Sequence, residues 1–203
     1  MPEKRPILIS VDLQRDFTRP EGAEYAPREC VPFIIDYMVP YLRSKGVYVR
    51  EIVSDYRQPR QGDDRDICRP GEVGFLSEID SAIVKGRRWI KSQNSPVWTR
   101  EGAGDPEDPP GLPYPNPAGF DAWLRDWVGG PDEVTVYLFG LTLDRCLLAT
   151  AQELRFRGYD VIIIEEATDT SSGSHAEKMA ILRNPPLTHW AGSIKWSQLK
   201  KVL

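Results

Sequence analysis

Three short runs, Ile7 to Val11, Val134 to Phe139 and Val161 to Ile164, are apolar at nearly every position and rich in Ile and Val. A strand with one wet face alternates apolar and polar residues. A run that stays apolar throughout is covered on both faces, as parallel strands between helical layers are. Val47 to Val53 and Ala82 to Val84 read as further strands. Helical patterns lie between them. Val31 to Lys45 spaces Ile34, Ile35, Met38, Tyr41 and Leu42 as a helix does, with Pro40 as a kink or break and Gly46 as the stop. Leu147 to Arg157 forms a second helix ended by Gly158, and Phe120 to Trp127 and His175 to Leu182 form shorter ones. Strands alternating with helices predict an α/β fold, a three-layer α/β/α arrangement around a mostly parallel sheet. No internal repeat is visible, and 203 residues suit one domain over 1–203. The segment 92–119, dense in Pro, Gly and Asp, is too long for a routine connection and reads as an insertion, either disordered or a functional lid.

Composition narrows the function classes. The net charge of -4 offers no basic footprint for nucleic acid or an anionic membrane. No apolar run approaches the roughly 20 residues of a membrane span, and Asp12 arrives too early for a signal peptide, so a cytoplasmic location is expected. The three cysteines, Cys30, Cys68 and Cys146, include no CxxC pair, which argues against a disulfide framework or a thiolate zinc site. The two histidines, His175 and His189, both lie late in the chain.

In open α/β sheets ligands bind beyond the carboxyl ends of the strands. That rule selects Asp12 after the first strand, Lys85 after the Ala82–Val84 strand, and Cys146 in the turn that follows Gly140. An acid, an ammonium and a soft nucleophile are the parts that covalent acyl transfer needs. A thiol at a helix start feels the positive end of the macrodipole, and a nearby lysine favours the thiolate further, so a lowered Cys146 pKa is expected. Asp12 is then placed to accept the thiol proton. Each residue also has an ordinary reading: an inert buried cysteine, an aspartate cap, a solvated lysine. Their joint placement at strand ends outweighs those readings.

The motifs resemble those of the isochorismatase-like hydrolases, a superfamily that includes nicotinamidases and N-carbamoylsarcosine amidases. Ile9-Ser10-Val11-Asp12-Leu13-Gln14-Arg15-Asp16-Phe17 is similar to its opening strand. Asp80-Ser81-Ala82-Ile83-Val84-Lys85-Gly86 is similar to its lysine strand, and Gly140 to Ala151, with Gly158-Tyr159 following, to its nucleophile segment. The resemblance implies a sheet of about six parallel strands. It implies a catalytic triad of Asp12 as general base, Lys85 as thiolate stabiliser and Cys146 as nucleophile. It further implies a cis peptide at Leu141–Thr142 and an oxyanion hole from the backbone of Thr142 and Cys146. Phe17, Trp89 and Leu141 are the expected pocket walls. A dimer or tetramer of identical chains is also implied.

Two departures limit what carries over. Nicotinamidases of the superfamily usually place an Asp-x-His pair after the second strand to feed a metal, whereas Asp55-Tyr56-Arg57 stands here. A guanidinium has no lone pair to give, so no metal of that kind and no cofactor is expected. Arg57 is instead a solvated residue or a partner for a substrate carboxylate. After Lys85 the chain runs Arg87-Arg88-Trp89 where relatives carry Ser-Ala-Phe. The expected function is a cysteine-dependent amidohydrolase acting on a small amide or carbamoyl compound. The alternatives are a metal-free hydrolase of the isochorismatase type, or a catalytically retired binding protein on the same fold. A redox-sensing thiol ranks below these, since no resolving cysteine lies nearby in sequence.

Overall fold

A computed structural model describes residues 4–62 and 64–203. Its strands are β1 (Arg5–Val11), β2 (Val49–Ser54), β3 (Trp89–Lys91), β4 (Trp98–Thr99), β5 (Tyr114–Pro115), β6 (Val134–Leu141), β7 (Asp160–Asp169) and β8 (Gly192–Ile194). Its helices are α1 (Arg15–Thr18), α2 (Cys30–Phe33), α3 (Val39–Lys45), α4 (Pro117–Trp127), α5 (Cys146–Phe156), α6 (His175–Arg183), α7 (Leu187–Trp190) and α8 (Trp196–Leu199). Among the described residues one six-stranded sheet runs in the order β3-β2-β1-β6-β7-β8, and every pairing in it is parallel.

The unbroken apolarity of the central strands has the expected cause. On β1, Ile7, Ile9 and Val11 face a layer that includes Phe120, Leu124, Leu147 and Leu154 from α4 and α5. Leu8 faces the opposite layer, with Ile34, Met38, Leu42, Trp196 and Leu199. The side-chain period of two therefore buries alternate residues in two different cores. β6 divides in the same way, Val136 and Leu138 to one side and Tyr137 and Phe139 to the other. Where β6 passes β1 at the carboxyl edge, Gly140 has φ 112°, and a Cβ there would lie 2.2 Å from the Val11 carbonyl oxygen. Only glycine fits that approach.

Pro40 does not break its helix. α2 and α3 are joined by a π turn over Ile34–Met38, so the helical path continues from Cys30 to Lys45 and ends on Gly46 in the left-handed conformation. A π turn widens the ladder locally, which accommodates the proline's missing N–H and its ring.

Ala82–Val84 forms no regular strand, and only Val84 keeps a parallel bridge, to Val49 of β2. Ser81–Ile83 is a 3-10 turn, capped by the Asp80 carboxylate accepting from the Ala82 N–H at 2.9 Å. The third parallel strand lies later, at β3, where Ile52, Val53 and Ser54 pair with Trp89, Ile90 and Lys91. The 92–119 segment is built against the body. It contains the antiparallel β4–β5 pair and is joined to β2's outgoing loop through Arg57, which donates to the carbonyls of Gly102 at 2.7 Å and Asp108 at 3.0 Å.

Candidate active site

The carboxyl edges of β1, β2 and β3 and the start of α5 converge on one buried cluster. Asp12 follows β1 directly, with φ 52°, a left-handed conformation that aspartate tolerates better than most residues. Its N–H is held by the Ile52 carbonyl at 3.0 Å. Ser54, the last residue of β2, donates its hydroxyl to Asp12 Oδ1 at 2.7 Å. Gln14 fixes Ser54 from the side: its Nε2 donates to the Ser54 carbonyl at 2.9 Å and its Oε1 accepts from the Ser54 N–H at 2.6 Å.

The lysine of this cluster is Lys91, the last residue of β3. Its Nζ lies 2.8 Å from Asp12 Oδ2, 2.8 Å from Ser54 Oγ, 2.5 Å from the Tyr56 hydroxyl and 3.4 Å from Cys146 Sγ. Lys85 is elsewhere. It is exposed, with its ammonium 5.3 Å from the Tyr48 ring. The displacement follows from the strand assignment, because the residue at the carboxyl edge is the one that ends β3 and not the one that follows the 3-10 turn.

Burial opposes the charge on Lys91, but Asp12, with Cys146 and Tyr56, more than offsets it and holds the ammonium above its ordinary value. Cys146 behaves otherwise than expected from the helix start. Burial pushes its thiol up to about 11, Asp12 pushes the same way, and Lys91 pulls down without prevailing. At neutral pH the sulfur is therefore a thiol beside a carboxylate–ammonium pair. The Tyr56 hydroxyl, itself raised chiefly by burial, lies 3.5 Å from Sγ, and Asn94 Oδ1 is at the same distance as an acceptor. The Leu141–Thr142 peptide is cis. The amides of Thr142 and Cys146 have no hydrogen-bond acceptor among the described residues.

The cluster opens into a pocket of about 480 Å³ lined by Asp12, Phe17, Tyr56, Asn94, Leu141, Thr142 and Cys146 among others. Phe17 and Leu141 thus lie where a pocket wall was expected. Trp89 does not. It sits two residues back from the edge, 5.4 Å from the Phe120 ring and 6.4 Å from the Trp123 ring, with its indole N–H on the Pro96 carbonyl.

Arg57 is neither solvated nor part of the pocket lining. It is buried in a two-point pair with Asp55, Nε to Oδ1 at 3.0 Å and Nη2 to Oδ2 at 2.8 Å. A metal at this position would need lone-pair donors, and the one beside Asp55 is a guanidinium that has none. Among the described residues no group of three His, Cys, Asp or Glu side chains is arranged to hold an ion. The residues present do not fit such a metal.

The same architecture recurs in solved structures. The chain matches an isochorismatase family protein from Desulfovibrio vulgaris with TM-score 0.67 and 18% identity, covering 98% of each chain. It matches an isochorismatase-like hydrolase from Alkaliphilus metalliredigens with TM-score 0.64 and 14% identity, over 98% of this chain and 96% of that one. This is the isochorismatase-like fold. A pyrazinamidase of Pyrococcus horikoshii, solved in complex with zinc, shares the fold at TM-score 0.65 and 19% identity, over 95% of this chain and 99% of that one. No protein-family model matches the chain, and no curated protein matches it in sequence. Within the isochorismatase-like fold the site lies where the general rule for open sheets puts ligands, beyond the carboxyl edge. Among the described residues, no helix is long and apolar enough to cross a membrane.

Four contributors to the cluster, Ser54, Tyr56, Lys91 and Asn94, belong to none of the motifs that single out Asp12 and Cys146. Lys91 alone had an available signal, since Trp89-Ile90 is a short apolar pair ending in a cation. Ser54, Tyr56 and Asn94 are defined only by which strands lie side by side.

Proposed function

We propose that the chain is a cysteine hydrolase of the isochorismatase-like superfamily that cleaves the C–N bond of a small amide or carbamoyl compound. The observation that carries this reading is that the buried Lys91 ammonium lies 2.8 Å from Asp12 and 3.4 Å from Cys146 Sγ, and that Asp12 and Cys146 themselves line a pocket of about 480 Å³. Relatives in fold described as pyrazinamidase and as nicotinamidase, the latter from Staphylococcus aureus, act on small amides and support the reaction class.

The chemistry follows from charge. Ionising Cys146 into solvent would leave the Asp12–Lys91–Cys146 cluster with a net buried negative charge, which burial opposes. Passing the proton to Asp12 keeps the cluster neutral, as a carboxylic acid, an ammonium and a thiolate. Sγ then attacks the carbonyl carbon, and the oxyanion takes hydrogen bonds from the Thr142 and Cys146 amides. Asp12 returns the proton to the leaving nitrogen as the C–N bond breaks, leaving a thioester on Cys146. Asp12, again a carboxylate, takes a proton from water as the water oxygen attacks the thioester. The acid is released and the thiol regains its proton.

The deciding experiment is ammonia release from a panel of primary amides and carbamoyl compounds, paired with intact mass spectrometry of quenched reactions. Turnover with an acyl adduct on Cys146 is expected. Ammonia release that survives unchanged in Cys146→Ala would sink the cysteine mechanism.

A further inference from the structure

Tyr56 stands in the cluster without a part in the reaction above. It lies two residues beyond β2, and its backbone is held from both directions by Ile67, N–H to carbonyl at 3.0 Å and 3.2 Å. Its ring is buried, edge-on to Phe17 at 6.4 Å between centroids, with the Arg60 guanidinium 3.7 Å from its centre. Arg60 is itself tied through Nε to the Ser92 carbonyl at 3.1 Å. Backbone and ring are thus fixed, and the freedom left is rotation of the hydroxyl proton about the C–O bond. Lys91 Nζ, 2.5 Å from that oxygen, can only donate, so the oxygen accepts from it. One phenolic proton remains, with two acceptors in its reach: the Gln93 carbonyl at 3.2 Å and Cys146 Sγ at 3.5 Å.

At rest the carbonyl wins. A thiol is a weak acceptor, and this one has an outlet for its own proton in Asn94 Oδ1 at 3.5 Å. Once the thiol proton has passed to Asp12, the sulfur carries a full charge and becomes the stronger acceptor. Burial, with Cys146 adding to it, pushes the phenol well above its ordinary value against the pull of Lys91, so Tyr56 keeps a proton to offer around neutrality. Two cations against the ring, Arg60 and the Lys91 ammonium 4.7 Å from the centroid, draw electron density from it and strengthen the O–H as a donor. A donor that meets new charge by turning alone stabilises it with little reorganisation.

We infer that Tyr56 is a further catalytic residue of the proposed reaction, a buried phenol whose hydrogen bond swings from the Gln93 carbonyl to Sγ whenever the sulfur carries negative charge. The proton stays on the phenol oxygen throughout. The sulfur is charged when it gives its proton to Asp12, and again when it leaves the tetrahedral intermediate that water forms on the thioester. This rests on the hydrolase reading for the reaction, but the hydrogen bond to sulfur can be measured without it. Tyr56→Phe removes the hydroxyl and keeps the ring that packs with Phe17 and Arg60. The other titratable groups facing Sγ, namely Asp12, Lys91 and the buried Cys68, are untouched. Alkylation of Cys146 by iodoacetamide, followed by peptide mapping, is expected to slow about threefold or more in the variant at about pH 8, because the thiolate has lost a donor. The factor is expected to stay constant between about pH 7 and pH 9, since the phenol does not ionise there. A tyrosine that only fills space predicts the opposite, because a looser wall admits the reagent. On any amide that is hydrolysed, kcat is expected to fall about tenfold while KM stays within about twofold. Labelling that is unchanged or faster overturns the inference, and so does a loss of activity confined to KM. The two readings fail separately. Slower labelling with no ammonia from any amide leaves the donor to sulfur and removes the hydrolase. Turnover that depends on Cys146, with labelling and kcat unchanged in Tyr56→Phe, does the reverse.

Discussion

Two buried acid–cation pairs lie within a few residues of each other at the carboxyl edge of the sheet, and they are built for opposite ends. In Asp55–Arg57 the contacts close on protein: three bonds within the pair, two from the guanidinium to the Gly102 and Asp108 carbonyls, and one from the Gly104 N–H to Asp55 Oδ2 at 3.0 Å. In Asp12–Lys91 the ammonium has three protons for four neighbours, and one of those neighbours is the sulfur at the pocket floor. A guanidinium is planar, always charged and pre-shaped for a carboxylate, which suits a lock. A compact ammonium can shift its weight between carboxylate and sulfur as the charge moves, which suits a reaction centre. The contrast teaches that burial and pairing alone do not single out a reaction centre. Under the proposed mechanism the distinguishing mark is the fourth neighbour, the sulfur.

That contrast can be broken from either side. The largest effect is expected from Cys146→Ala, which should lower kcat/KM for an amide by about 10⁴-fold or more. Steady-state ammonia release checks it, and a variant retaining a tenth of wild-type activity would refute it. Lys91→Met should also remove most turnover, by about 10²-fold or more. Arg57→Met should act chiefly on stability. It leaves a buried Asp55 without its cation and unfastens the 92–119 segment, at a cost of about 3–5 kcal/mol in urea unfolding. If Arg57→Met lost activity with no change in stability, the lock would be misread.

A sharper separation uses pH. With the thiol held up at about 11, alkylation of Cys146 should rise about tenfold per pH unit from neutrality toward pH 10, with no plateau below pH 9. Asp12→Asn removes a charge that raises the thiol, so its pKa should fall and alkylation at pH 8 should speed up by about threefold or more. The same variant should be inactive in hydrolysis. Faster labelling with lost turnover distinguishes a proton acceptor from a residue that merely shapes the pocket. The smallest effect is expected from Lys85→Ala, within about 0.5 kcal/mol in stability and about twofold in turnover.

Much of this was legible in the chain, and the illegible part has one physical origin. β1, β6 and β7 announce themselves because each is buried on both faces for several residues. Asp12 and Cys146 follow from where those strands end. β3 is only three residues long, preceded by Arg87 and Arg88, and exists because it pairs with β2. Ala82 to Val84 offers the stronger local pattern and forms no strand of the sheet, since Asp80 caps a turn there. The lysine assignment inherited that error. Ser54, Tyr56 and Asn94 come from three stretches that share no local motif. The rise of the Cys146 thiol was hidden for the same reason, because the helix start is visible in sequence and the depth of burial is not.

That depth has a consequence for the durability of the sulfur. Peroxides and other oxidants attack the thiolate, so a cysteine kept permanently ionised is steadily converted to sulfenic and then irreversibly to sulfinic acid. Cys146, protonated at rest and 7% exposed, presents little thiolate to such reagents. Under the proposed mechanism the thiolate exists only while Asp12 holds the proton. On that mechanism, a resting enzyme would be shielded from the damage that its own chemistry invites.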